Sequence, residues 1–288
     1  MARYSIKDLE NYTQIKAHTI RIWEQRYQLL TPKRTETNIR YYSEEDLKDI
    51  LNINLLYKNG YKISKIAMLS KVEITEAASS IIQQNHANTG PLEINKLISA
   101  TSSMDQNKII EILENCLTKL GMDQLFSSVL VPVLHKIGEL WQVNTITIAH
   151  EHLFSNLIRD FFILKTVELR DIPTNNKRAI LFLPAHEEHE LSLLYYHYIL
   201  KKEGYHCYYL GNTLPIHDLE KSINQIKPNL LVTNLILKLE KKQFQKFTDT
   251  LIELAPKARI CIGGLQAIIH KDTLPKRISL IQSKEDLT

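Results

Sequence analysis

RAILFLPAHEEHELSLLYYHYIL, Arg178 to Leu200, decides how the C-terminal part of the chain is read. RAILFLP is a short, uninterrupted apolar run of the kind that makes a strand buried on both faces. A helix follows, running to Gly204, and between the two lies a polar loop carrying His186, Glu187, Glu188, His189 and Glu190. The alternation then repeats: strand YHCYYLG (205–211), helix IHDLEKSINQI (216–226), strand NLLVTNLIL (229–237), helix KKQFQKFTDTLIELAP (241–256), strand ARICIGG (258–264). Strands alternating with helices of this length imply a doubly wound, parallel, Rossmann-like sheet over 177–288. Such sheets bind ligands at the carboxyl ends of their strands, where the histidine-rich loop falls. A histidine there can ligate a metal, and a carboxylate two residues earlier can hold its other ring nitrogen. A solvated polar loop is the alternative, and both readings stay open on the residues alone.

Working back toward the N-terminus, residues 91–172 show no strand-like alternation. They divide into amphipathic helices broken near Met104, Gly121 and Val143–Thr145, which predicts a four-helix bundle. A polar stretch, QQNHANTGP (83–91), marks 73–90 as a linker. Residues 1–72 read as short helices around a turn. Ser5 with Asp8 caps the first, Gln14–Ile15 turns the chain, and KAHTIRIWEQRY puts Ile20 and Trp23 on one face. LLTPKRTETNIRYY breaks the period, Ser43 opens a third helix closed by Asn59–Gly60, and YKISKIAMLSK gives a fourth. The fold class is thus multidomain, α and α/β.

The formal net charge is only +4, but residues 1–42 hold all of it, with eight Lys/Arg against four acids. A polyanion partner is expected at that end. Two helices, a tight turn and a basic hairpin make a winged helix-turn-helix, whose Arg21 and Arg26 suit a major groove and whose Lys33, Arg34 and Arg40 suit phosphates. Cys116, Cys207 and Cys261 are too few and too scattered for a disulfide framework or a thiolate metal site. No run of apolar residues is long enough to span a bilayer and MARYSIKDLE lacks a signal-peptide core, so no membrane partner and a cytoplasmic location are expected.

YSIKDLENYTQIKAHTIRIWEQRYQLLTPKRTETNIRYYSEEDL resembles the DNA-binding domain of MerR-family transcription regulators in its YSI opening, TIRIWEQRY helix, P-x-R-T wing entry and R-Y-Y-S exit. The resemblance implies operator DNA as partner, contacted by Arg21, Arg26, Tyr27, Lys33, Arg34, Arg40 and Tyr41. Thr37–Asn38 stands where the family's wing usually has a glycine pair. Asn tolerates positive φ, so the turn is expected to survive.

Glu187-x-His189-x-x-Ser192, Thr233-x-Leu235 after the third strand and Gly263–Gly264 after the fourth resemble the D-x-H-x-x-G, S-x-L and GG motifs of cobalamin-binding domains. In the bundle, Trp141 followed by Glu151–His152 resembles cobalamin-dependent light-sensing repressors of the CarH and LitR type. The resemblance implies adenosylcobalamin or methylcobalamin as cofactor, with His189 as lower cobalt ligand oriented by Glu187. It also implies Trp141 over the upper ligand, His152 beside Glu151 as an upper cobalt ligand after photolysis, and glycines that admit the cofactor's nucleotide tail. It further implies a non-enzymatic repressor that forms a dimer or tetramer and releases DNA in light. Ser192 replaces the motif's glycine and keeps open a regulator whose cobalamin site is lost and whose signal is another ligand or a partner protein. A corrinoid carrier subunit of a methyltransferase shares the bundle and sheet, but not the head.

Overall fold

Two serines set the frame of the N-terminal helices. Ser5 accepts from the Asp8 amide (3.2 Å) and Asp8 accepts from the Ser5 amide (2.6 Å), opening α1 (Ile6–Thr13). Ser43 and Asp46 repeat this capping box for α3 (Glu44–Lys58). Gln14 and Gln28, both in the left-handed region, end α1 and α2 (Ala17–Tyr27). Ile20 and Trp23 of α2 are buried together, and β1 (Lys33–Arg34) pairs antiparallel with β2 (Arg40–Tyr41) to make the wing. This computed structural model describes residues 3–35, 38–86, 92–170 and 175–288. Asn38 takes φ 64° and thereby supplies the wing's left-handed residue, while Thr37 lies outside the described residues.

Glu24 binds the wing to α2. It is 8% exposed, accepts a short hydrogen bond from the Tyr42 hydroxyl, and lies 3.6 Å from the Arg40 Nε. A buried carboxylate persists only when paired in this way.

The segment 73–90, expected as a linker, is helical through His86. After the single turn α4 (Ile63–Ile66), α5 spans Lys71–His86 and buries Ile74, Ala78 and Ile82 in the core of the head. Its apolar residues recur every four positions, and that period outweighs the polar composition at its C-terminal end. Residues 87–90 of the expected linker lie outside the described residues.

The expected breaks fall where the sequence marks them. α6 (Leu92–Ser102) ends before Met104, which takes φ 56°. α7 (Gln106–Gln124) kinks at Gly121 (φ 76°, ψ 167°) but does not stop there: it runs through a π-helical segment, Leu125–Leu130, into α8 (Val131–Gln142). α9 covers Ile148–Val167. The chain forms two compact units, 1–154 and 155–288, so the division falls inside α9 and not at the expected boundary of 172–177. The later part of α9 belongs to the second unit because Phe162 packs edge-on against Tyr195 and Arg159 pairs with Glu190 at 2.7 Å.

The second unit is an all-parallel sheet of β3 (Arg178–Pro184), β4 (His206–Leu214), β5 (Leu230–Asn234), β6 (Arg259–Gly263) and β7 (Ile278–Leu280), in the order β4-β3-β5-β6-β7. Four helices accompany it: α10 (Leu191–Lys202), α11 (Ile216–Ile226), α12 (Lys241–Leu254) and the short α13 (Leu265–Ile269). β7 and α13 lie beyond the last strand read from sequence, and β4 runs on through the LGNTL segment to Leu214. From β3 the chain moves to β4 on one side and then to β5 on the other. The strand order therefore reverses between β3 and β5, and their carboxyl ends bound the crevice where such sheets hold ligands.

Replacing Tyr42 with Phe leaves the buried Glu24 carboxylate one partner short. The expected loss is about 1–3 kcal/mol of stability, read as a lower urea midpoint; an unchanged midpoint would show that the wing does not depend on this bond.

Candidate functional site at the sheet's switch point

Both oxygens of one carboxylate organise the loop after β3. Glu187 is 3% exposed. Its Oε1 accepts from the His189 backbone amide (3.1 Å) and contacts His189 Nδ1 (2.6 Å). Its Oε2 accepts from the Ile236 and Leu237 amides (2.8 and 2.9 Å), just beyond β5. Glu187 thus spans the crevice between the first and third strands. Burial alone would raise its pKa, but the His189 bond, the two backbone amides and the His189 charge outweigh burial and hold it below the ordinary value of 4.5. His186, at φ 70°, turns the backbone so that Glu187 faces inward.

Nδ1 is held by Glu187, so Nε2 is the nitrogen His189 could offer to a metal, and its side chain is 45% exposed. Among the described residues no group of three or more His, Cys, Asp or Glu could hold a metal ion unaided.

The other motif residues lie at the ends of β5 and β6 and at the start of α10. Thr233 and Leu235 flank Asn234 at the end of β5, all three buried. Gly264 (φ 92°) faces the Leu235 backbone so closely that a Cβ would collide with it, which makes this glycine a requirement of the loop itself. A Cβ on Gly263 would collide with the Tyr196 hydroxyl. Ser192 lies half-buried in the first turn of α10. Neither Tyr196 nor the Arg159–Glu190–Tyr209 network stands out in sequence. Glu190 accepts from Arg159 (2.7 Å) and from the Tyr209 hydroxyl (3.0 Å), which fixes the start of α10. His197 stacks on Tyr209, and burial together with Lys201 lowers its pKa to about 4, so it is a neutral packing residue.

In the first unit Trp141 packs against the DNA-binding head. Its indole N–H donates to Glu44 (3.3 Å) and the Lys48 ammonium lies 5.0 Å from its ring centre. Gln142 and Asn52 are bonded to each other, Lys48 donates to Asn144 (2.7 Å), and Val143 is buried in the core of the head. The end of α8 is in this way fastened to one face of α3. Glu151 contacts Nδ1 of the exposed His152 at 2.8 Å.

Arg21, Arg26, Lys33 and Arg34 are exposed on α2 and the wing. Arg26 stacks over Tyr27, Arg34 donates to Asn38 (2.6 Å) and Arg3 lies over Tyr41. Arg40 differs from the rest, since its guanidinium is held by Glu24.

Residues 4–72 match the MerR HTH family regulatory protein model, and residues 93–163 match the B12 binding domain model. The chain is 27% identical over 98% of its length to the HTH-type transcriptional repressor CarH of Myxococcus xanthus, covering 96% of that protein. It is 23% identical over 92% of its length to the repressor CarA of the same organism, covering 88% of it. The monomethylamine corrinoid protein of Methanosarcina barkeri shares the fold at TM-score 0.53 and 15% identity, over 67% of this chain and 93% of that one. No described helix is long and apolar enough to cross a membrane.

Glu187→Ala should cost about 1–3 kcal/mol, because the Ile236 and Leu237 amides lose their acceptor. Faster hydrogen exchange at those two amides is the direct readout. Since the folded pKa of Glu187 is depressed, the stability it contributes is complete at neutral pH and is lost as pH falls through that lowered value. Amide shifts of Ile236 and Leu237 followed in acid should report a midpoint below 4.5.

Proposed function

We propose that this chain, a MerR-type transcriptional regulator joined to a B12 binding domain, is a repressor that senses light through adenosylcobalamin. The observation that carries the reading is the Glu187–His189 pair at the sheet's switch point, which prepares one imidazole nitrogen for an axial metal bond. Thr233, Leu235, Gly263 and Gly264 at the ends of β5 and β6, together with Trp141, Glu151 and His152, are assigned to holding the cofactor. The cofactor, when bound, supplies a cobalt–carbon bond that light breaks; methylcobalamin would bring a bond of the same type.

The protein's own part is to hold the cofactor and report on it. Glu187 fixes the His189 ring and strengthens it as a ligand. Trp141 is the natural reporter because its indole already rests on α3 between Glu44 and Lys48. In the dark, a dimer or tetramer would place several heads on adjacent operator half-sites and gain affinity through linkage. Arg21, Arg26, Tyr27, Lys33, Arg34, Arg40 and Tyr41 are assigned to that DNA surface.

The test is an absorption spectrum of the full chain, mixed with adenosylcobalamin in the dark, desalted, and rescanned after green light. Retention of the corrin spectrum with a change on illumination is expected. A spectrum lost on desalting would leave a MerR-type regulator governed by another ligand or by a partner protein. His189→Ala should weaken cofactor retention by about tenfold or more, and unchanged retention would remove His189 from the lower position. Trp141→Ala should alter the ratio of dark to light operator affinity, measured by gel shift on cofactor-loaded protein. An unchanged ratio would exclude the indole as reporter.

A further inference from the structure

The loop that follows β5 is held from two sides, by Glu187 and by a glutamine on α13. Gln266 is 0% exposed. Its side-chain amide donates to the Ile236 carbonyl (3.3 Å) and accepts from the Leu239 amide (3.0 Å). Its backbone N–H donates to the Leu235 carbonyl (3.0 Å), and His270 Nε2 meets the Leu239 carbonyl at 3.0 Å. A carboxamide carries a donor and an acceptor side by side, which neither an ionised carboxylate nor a hydrocarbon of the same length can do. Buried polar groups are retained where their bonds are made, and both ends of this one are spent on a single loop.

The Ile236 carbonyl and the Leu237 N–H belong to one planar peptide group, and across a trans bond they point in opposite directions. Gln266 holds the oxygen of that group, while Glu187 Oε2 takes its hydrogen (2.9 Å). Rotation of the peptide plane would break both bonds at once. With the carbonyl fixed, the N–H is aimed at Glu187, whose other oxygen contacts His189 Nδ1 (2.6 Å). We propose that Gln266 is a positioning residue for His189: it fixes the Ile236–Leu237 peptide, the peptide fixes the Glu187 carboxylate, and the carboxylate fixes the ring. Groups on α13 and on the loops after β5 and β3 thus form one relay, through which a glutamine that does not touch the histidine directs its free nitrogen.

As a statement about a metal ligand this rests on the cobalamin reading, and two measurements separate the relay from it. Hydrogen exchange of the full chain without cofactor is compared with that of Gln266→Met, which fills the space but offers neither bond. Exchange at Leu237 should rise about tenfold, while Ile180 in β3 and Ile260 in β6 keep their rates. Unchanged exchange at Leu237, or an equal rise at all three amides, would overturn the relay and leave the cobalamin reading untouched. Adenosylcobinamide, which has no base of its own, is then titrated in the dark, and the shift of its visible band on gaining a nitrogen ligand is followed. Gln266→Met should need about tenfold more protein for half ligation. The same substitution added to Glu187→Ala should move half ligation by less than about twofold, because the relay is already cut. An effect of equal size in both backgrounds would overturn the positioning role. Gln266→Asn, whose shorter amide falls short of the Ile236 carbonyl, should act in the same direction and covers a methionine variant that does not fold. If the unsubstituted chain binds adenosylcobinamide without the shift, the positioning of a ligand is overturned. If it binds neither that corrinoid nor adenosylcobalamin, the cobalamin reading falls as well.

Discussion

A single buried carboxylate holds the ligand-binding end of the sheet together. Glu187 takes hydrogens from the loop that follows β3 and from the loop that follows β5, and these are the two strands between which the winding reverses. Without it, the Ile236 and Leu237 amides would lose their acceptor and the His189 ring the partner that orients it. Because both oxygens are used, rotation of the carboxylate is not available as a way of relaxing. The histidine therefore inherits its orientation from the main chain of the opposite loop. Glu190 adds a second tether, since Arg159 and Tyr209 share its carboxylate and fix where α10 begins. Between these two acids the His189 side chain stays 45% exposed.

The first unit distributes its polar contacts differently. Its charge-bearing face belongs to α2 and the wing, while α3 turns a row of Glu44, Lys48 and Asn52 toward the end of α8. That row binds a tryptophan, an amide and an asparagine, with Val143 sealed beneath them. Polar contacts of this kind are individually modest, and the burial of Val143 adds an apolar component to the joint.

Much of this was legible in the residues. The capping pairs Ser5–Asp8 and Ser43–Asp46 act within three positions, and local rules read them directly. The first four strands of the sheet announce themselves as apolar runs between turns, and the break at Gly121 is written as a residue that tolerates positive φ, whereas Met104 takes φ 56° without being such a residue. Glu187-x-His189 is likewise a two-residue relation, and the expected contact is present. What escaped is long-range or competitive. α5 was hidden because polar composition at its end masks a four-residue apolar period. The amides that complete the Glu187 clamp belong to Ile236 and Leu237, whose side chains carry no trace of the role. Tyr196 reads as one more aromatic on a buried helix face until the backbone of Gly263 is set opposite it. Gly264 was legible as an unusual residue, but its reason, the closeness of Leu235, exists only in three dimensions.

The ion pair between Arg40 and Glu24 changes how the head's charge should be counted. A guanidinium that already faces a buried carboxylate brings little uncompensated charge to a phosphate and displaces correspondingly few condensed cations from the duplex. Each phosphate fully neutralised contributes about 0.9 to the slope of log affinity against log salt. The slope for one head should therefore be shallower than its arginines and lysines, simply added, would suggest. Exchanging Glu24 for a neutral residue would steepen it by freeing Arg40, at the expense of the wing that Glu24 holds in place.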